Sequence, residues 1–284
     1  MASPDEVTAA VARRVGAVEG VAAVVLGGSR ARGDADEASD VDLGIFYDPA
    51  RPLDLARLRA LATELDDRHA PDLLTDLGGW GPWINGGGWL TIEAVRVDWL
   101  YRDLAKVSRV FDECEAGRPT VHYQPGYPHG FHSHIYLADA HFGRTLVDHD
   151  GVFAALKART ASYPSRMREA LLRQHVWEAG FMLENAWKPA GRGDTAFVAG
   201  CLYRCAACLL QALFALNRRY FPHEKRAVEI AAGFTHAPPR FAETVTEVLA
   251  APGASAPALT AQVGRMAALV EATRALAAGE DPAP

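Results

Sequence analysis

Two aspartates, Asp40 and Asp42, flank a single valine a short way beyond a glycine turn, Gly27-Gly28-Ser29. In an extended segment residues i and i+2 project from one face, so these carboxylates stand side by side next to the turn. Carboxylates so placed repel, and each raises the other's pKa unless a cation lies between them. Mg²⁺ meets that need, because it takes one or two carboxylates and completes its octahedron with phosphate oxygens and water. The glycines let the backbone turn sharply and come close to a ligand. Amides at the start of a helix from Arg30, with the Ser29 hydroxyl, suit a phosphate. Asp34, Asp36 and Glu37 crowd the same segment, so a solvated acidic loop is the alternative. It accounts for the acidity but not for the apolar run beside each half of the pattern.

Those runs are the elements that must position the acids. Val21 to Leu26 is small and β-branched and reads as a buried strand leading into the turn; Leu43-Gly44-Ile45-Phe46 continues a second strand out of Asp42. In Ala94 to Leu100, Val95, Val97 and Trp99 alternate with Arg96 and Asp98, which gives a third strand carrying a third carboxylate, Asp98. Ser3-Pro4-Asp5-Glu6 is a capped helix start, and that helix is expected to reach Gly20. A second helix is expected from Asp54 to His69, a short strand from Leu73 to Leu77, and a helix from Arg102 to Ala116. Gly78 to Trp89 is glycine-rich, holds three tryptophans and reads as a turn-rich connector. Its tryptophans are read as cover for the sheet in preference to an aromatic wall for a base or an acceptor.

Beyond Gly117 the pattern changes. Gly117 to Gly130 is rich in Pro and Gly, and from about Ser133 the chain reads as helical, with long helices at Pro164–Lys188, Thr195–Tyr220 and Leu259–Ala278 and a frayed tail from Gly279 to Pro284. The expected division is a catalytic domain over residues 1–117, a linker over 118–132 and a helical bundle over 133–284. His129, His132 and His134 lack a partner cluster at ligand spacing and are not read as a metal site. Cys201, Cys205 and Cys208 lie too far apart along one helix to hold a cubane and are read as packing at a helix seam. The four cysteines are expected as free thiols, no stretch reads as apolar enough to span a bilayer, and a cytoplasmic protein is expected. The net charge of −6 argues against an extended nucleic-acid surface.

The two-part pattern Leu26-Gly27-Gly28-Ser29 and Asp40-Val41-Asp42-Leu43, with Asp98 on a later strand, resembles the DNA polymerase β-like nucleotidyltransferase superfamily over residues 21–100. The layout is similar to small-molecule nucleotidyltransferases of the aminoglycoside and lincosamide type, which carry a helical domain behind the catalytic one. The resemblance implies an α+β fold, with a mixed sheet flanked by helices followed by an all-α bundle. It implies Mg²⁺-dependent transfer of a nucleoside monophosphate, from ATP or another triphosphate, to a hydroxyl of a small molecule such as an antibiotic. Asp40, Asp42 and Asp98 would hold two Mg²⁺ ions; Gly28 and Ser29 would take the phosphates, with Arg30 or Arg32 neutralising charge. In the helical half Glu178, Glu184 and Asp194 are candidate bases, with Glu178 foremost, and Arg204 and Lys225 are candidate phosphate contacts. Alternatives are an inactive, antitoxin-like binding module and an adenylyltransferase acting on a protein.

Overall fold

A computed structural model of the chain describes residues 3–36 and 38–279; Glu37 and the tail beyond Gly279 lie outside the described residues. The chain divides into two compact units. The first holds the residues up to Glu113 with Thr120–Gly126 and Gly130–Ser162; the second holds Cys114–Pro119, Tyr127–His129 and the chain from Tyr163 onward.

The first unit runs α1 (Pro4–Gly16), β1 (Val21–Leu26), α2 (Gly28–Arg32), β2 (Val41–Tyr47), α3 (Leu55–Leu65), β3 (Gly87–Ile92), β4 (Val95–Asp103) and α4 (Leu104–Glu115). A two-residue pair, β5 (Val121–His122) and β6 (Phe131–His132), precedes α5 (Ile135–Phe142), β7 (Arg144–Asp148) and α6 (Val152–Arg159). The Ser3 hydroxyl accepts from the Glu6 amide while the Glu6 carboxylate accepts from the Ser3 amide, a reciprocal cap that fixes the start of α1. Asp54 caps α3 through the Arg57 amide.

The sheet order is β3-β4-β2-β1-β7, with β2 and β4 parallel and the other pairs antiparallel. One face carries Val41, Leu43, Ile45, Leu90, Ile92, Val97, Trp99 and Tyr101, all buried in a core with Val7, Val11 and Val15 of α1 and Leu58 and Leu61 of α3. Alternation then sends Asp42, Phe46, Trp89, Asp98 and Arg102 to the opposite face. There Phe46 meets Phe153 of α6 at 5.2 Å between ring centroids, and Arg102 pairs with Asp139 of α5 at 3.1 Å. Burial raises the Asp139 pKa and the Arg102 guanidinium opposes that rise.

Several expectations are corrected. No strand forms at Leu73–Leu77, where Thr75 donates its amide to the Gly87 carbonyl from a loop. The helix α1 ends at Gly16 and α3 at Leu65, each short of the expected limit. Residues 144–148, expected to be helical, form β7 and pair with β1, so Gly130–Ser162 belongs with the sheet and not with the helical part.

The second unit is helical: α7 (Ser165–Gly191), α8 (Thr195–Leu216), α9 (Ala227–Ala232), α10 (Phe241–Ala250) and α11 (Ala256–Gly279). Against expectation, α8 is long and apolar enough to cross a membrane by length and composition, with a mean hydropathy of 1.7. Most of it is buried, packed against α7 and α11. It is apolar nearly all round because it is the central helix of this unit. The four cysteines are free thiols, all buried.

Candidate active site

The acidic row is built by strand register. Asp42 and Asp98 are direct partners across the parallel β2–β4 pair, so their side chains leave the same face from adjacent strands. Asp40 lies two residues before Asp42 at the mouth of β2. Across β2 from β4, the chain leaves β1 into the glycine turn, and the Gly27 amide donates to the Asp42 carbonyl at 2.8 Å. Gly28 has φ +62°, and a Cβ placed on it would come 1.8 Å from Asp42 Oδ2. A Cβ there would have to displace the Asp42 side chain, so the Asp42 carboxylate lies directly on the backbone of the turn. Only glycine gives both the left-handed backbone and the space. The oxygen-only donor set of Asp40, Asp42 and Asp98 suits a hard divalent cation better than zinc or copper.

Two arginines hold the loop that carries these acids. Arg30 donates through Nη2 to the Ser39 carbonyl at 2.7 Å and through Nε to the Asp40 carbonyl at 3.2 Å, which fixes the approach to β2. Arg96 Nε lies 2.5 Å from Asp40 Oδ1, and its Nη2 donates to the Ala38 carbonyl. Arg96 is 62% exposed, so the cation that stands on this carboxylate is open to solvent. Arg32 pairs with Asp34 at 3.2 Å. Ser29 is half-buried at the start of α2, where its carbonyl accepts from the Gly33 and Asp34 amides.

The residues expected from the helical half lie in the second unit. Glu178 on α7 accepts from Arg204 Nε of α8 at 2.6 Å, with His175 Nδ1 4.0 Å from its other oxygen. Arg204 Nη1 also donates to the His129 carbonyl at 2.7 Å. His175, Glu178 and Cys208 bring ligand-type atoms within 4.8 Å of one another, a grouping across α7 and α8 that sequence spacing did not reveal. Burial, with the Glu178 carboxylate beside it, pushes the Cys208 thiol up to about 12. Burial thus favours the protonated thiol, and the Arg204 guanidinium lies against the Glu178 carboxylate. Asp194 is the cap of α8, accepting from the Phe197 amide at 3.2 Å, and Glu184 and Lys225 are exposed.

Sequence reasoning passed over Glu224. Burial pushes its carboxyl up to about 7, although one oxygen accepts from the His129 amide at 2.8 Å. His129 itself is held down to about 4 by burial and by Arg204. Nothing in the local sequence around Glu224 signals this, because the burial comes from residues distant in the chain.

Two family models match parts of the chain. Residues 5–78 match the Nucleotidyltransferase domain family, and residues 132–226 match the Domain of unknown function (DUF4037). No curated protein matches the chain. Among solved structures the chain is similar to a nucleotidyltransferase-like protein from Exiguobacterium sibiricum 255-15. The identity is 10% and the TM-score 0.46, over 96% of this chain and 74% of that one. The glycine turn, Asp40 and Asp42 all fall within the residues 5–78 that match the Nucleotidyltransferase domain family.

Proposed function

We propose that the protein transfers a nucleoside monophosphate, AMP from ATP, to a hydroxyl of a small molecule with Mg²⁺ as cofactor. The observation that carries this reading is the Asp42–Asp98 register pair, with Asp42 lying against Gly28, where a Cβ would meet its carboxylate at 1.8 Å. Asp40, Asp42 and Asp98 hold the metal. Bound there, Mg²⁺ neutralises phosphate charge and lowers the pKa of the attacking hydroxyl. The Gly28 and Ser29 amides and the Ser29 hydroxyl take the terminal phosphates, which the absence of a side chain at Gly28 lets approach. Arg30 contributes by holding the Asp40 backbone, and Arg32 stands at the end of α2 as a charge for the phosphates.

The test is calorimetric titration of ATP with Mg²⁺ into wild type and Asp42→Asn/Asp98→Asn, with pyrophosphate release across a panel of hydroxylated compounds. Wild type is expected to bind ATP only with Mg²⁺, and the double variant to lose binding and turnover by on the order of a hundredfold or more while keeping its thermal midpoint. Triphosphate binding that is indifferent to Mg²⁺ and to both substitutions overturns the reading and favours a binding module.

A further inference from the structure

The connector Gly78 to Trp89 does not simply cover the sheet. Trp89 sits on the edge strand β3, in register with Asp98 of β4, which is in register with Asp42 of β2. Directly opposed residues of paired strands share a face, so Trp89, Asp98 and Asp42 form one row. The glycine turn lies beyond one end of that row and the indole stands at the other. Trp89 is 64% exposed. An exposed tryptophan beside carboxylates gains little from its place in the fold, yet this one is held. Trp80 stacks on it with centroids 4.5 Å apart and planes 25° from parallel. The loop bearing Trp80 is pinned in turn. The Trp80 carbonyl accepts from Nε2 of the buried Gln124 at 2.8 Å, and the Trp83 carbonyl accepts from the Tyr136 hydroxyl at 2.6 Å. The Lys106 ammonium lies 4.0 Å over the Trp83 ring. The Trp80–Trp89 pair is thus a preorganised aromatic platform, whose ordering cost is met before any ligand arrives.

We infer that Trp89, backed by Trp80, is the acceptor platform of the proposed transfer, and that the acceptor presents its hydroxyl on or next to a flat ring that stacks on the indole. This rests on the proposed function. In an in-line displacement at phosphorus the attacking oxygen enters opposite the leaving pyrophosphate. With the terminal phosphates on Gly28 and Ser29, the acceptor comes from the other end of the row, where Trp89 stands next to Asp98. An indole face takes either the C–H face of a sugar or cyclitol ring or the π-face of an aromatic ring. The oxygen of the acceptor bonds to the α-phosphorus, the bond to the pyrophosphate oxygen breaks, and the hydroxyl proton passes to a carboxylate or to water.

The experiment uses the full chain labelled with 5-fluorotryptophan, the Trp89 resonance being assigned with Trp89→Phe. A non-hydrolysable ATP analogue is added with Mg²⁺, followed by methyl pyranosides, myo-inositol and tyramine in turn, each to tens of millimolar. At least one ring compound is expected to shift the Trp89 resonance. For the compound that shifts it most, Trp89→Ala is expected to weaken binding about tenfold, the loss of one ring stack, and Trp89→Phe to restore most of it. Nucleotide affinity is expected to stay within about twofold of wild type in both variants. The saccharide and phenol arms separate the two ring chemistries. Nucleotide binding by wild type with no ring compound moving Trp89, or with Trp89→Ala binding the ring equally well, overturns the platform alone. Failure of wild type to bind the nucleotide at all removes the function it serves and the platform with it.

Discussion

Each unit sets an arginine on a carboxylate, and the two pairs behave as opposites. In the sheet unit Arg96 meets Asp40 with 62% and 39% of the side chains exposed; in the helical unit Arg204 meets Glu178 with 27% and 20% exposed. The first pair lies on an open row of three acids beside a turn that excludes side chains. The second is enclosed between α7 and α8, with His175 and a protonated Cys208 around it. Solvent screens the first, so the ion pair is worth little and either partner can be given up to a ligand. The second has already lost its water, so each charge depends on the other. The two pairs differ less in residue type than in what solvent can still do for them.

The largest effect expected from sharpening this contrast is at Gly28. Gly28→Ala puts a Cβ onto the Asp42 carboxylate and strains a φ of +62°. The variant is expected to lose on the order of a hundredfold or more in Mg²⁺-dependent ATP affinity by calorimetry, while unfolding only about 1 kcal/mol more easily. A variant that binds ATP normally would show that the acids of the row act without close backbone approach.

Arg204→Ala comes next, and it tests the closed pair. It leaves Glu178 without its guanidinium partner inside the helical unit. A loss of about 3 kcal/mol is expected in urea unfolding of the full chain, recovered in part by adding Glu178→Gln, because the cost lies in the stranded charge. Equal stability of Arg204→Ala and wild type would place this cluster with the exposed one and erase the distinction.

How far these features could be read beforehand depends on how local their cause is. The glycine turn, β1 and β2 were legible because spacing, alternation and apolar runs are properties of one short segment, and Asp98 followed from a single alternating strand. The strand β7 was not legible. Its five residues, Arg144–Asp148, are exposed or half-buried at an edge, and they lack the period-2 pattern of a strand with one buried face. The exposure of Trp89 was hidden for another reason. Its residue type argued for burial, and only the pairing with Asp98 across β3 and β4 sends it to the acidic face. Glu178, Cys208 and Arg204 were each visible as residues. Their grouping arises from the packing of α7 on α8, which no spacing within either helix encodes.

The smallest effect is expected at Arg96. Because Arg96 is 62% exposed and its partner is screened, Arg96→Ala should move the thermal midpoint by no more than the equivalent of about 0.5 kcal/mol. Its consequence should appear in metal affinity. Asp40 can serve a cation only when the guanidinium leaves it, so removing the competitor is expected to tighten Mg²⁺ binding about threefold, measured by titration in the presence of ATP. The gain should shrink as salt is raised, since ions already weaken the exposed pair in wild type. Weaker Mg²⁺–ATP binding by Arg96→Ala would mean that the guanidinium turns from Asp40 to the phosphates when they arrive. The open pair would then be a ligand contact held in reserve, and its exposure would reflect use in binding instead of a lack of partners.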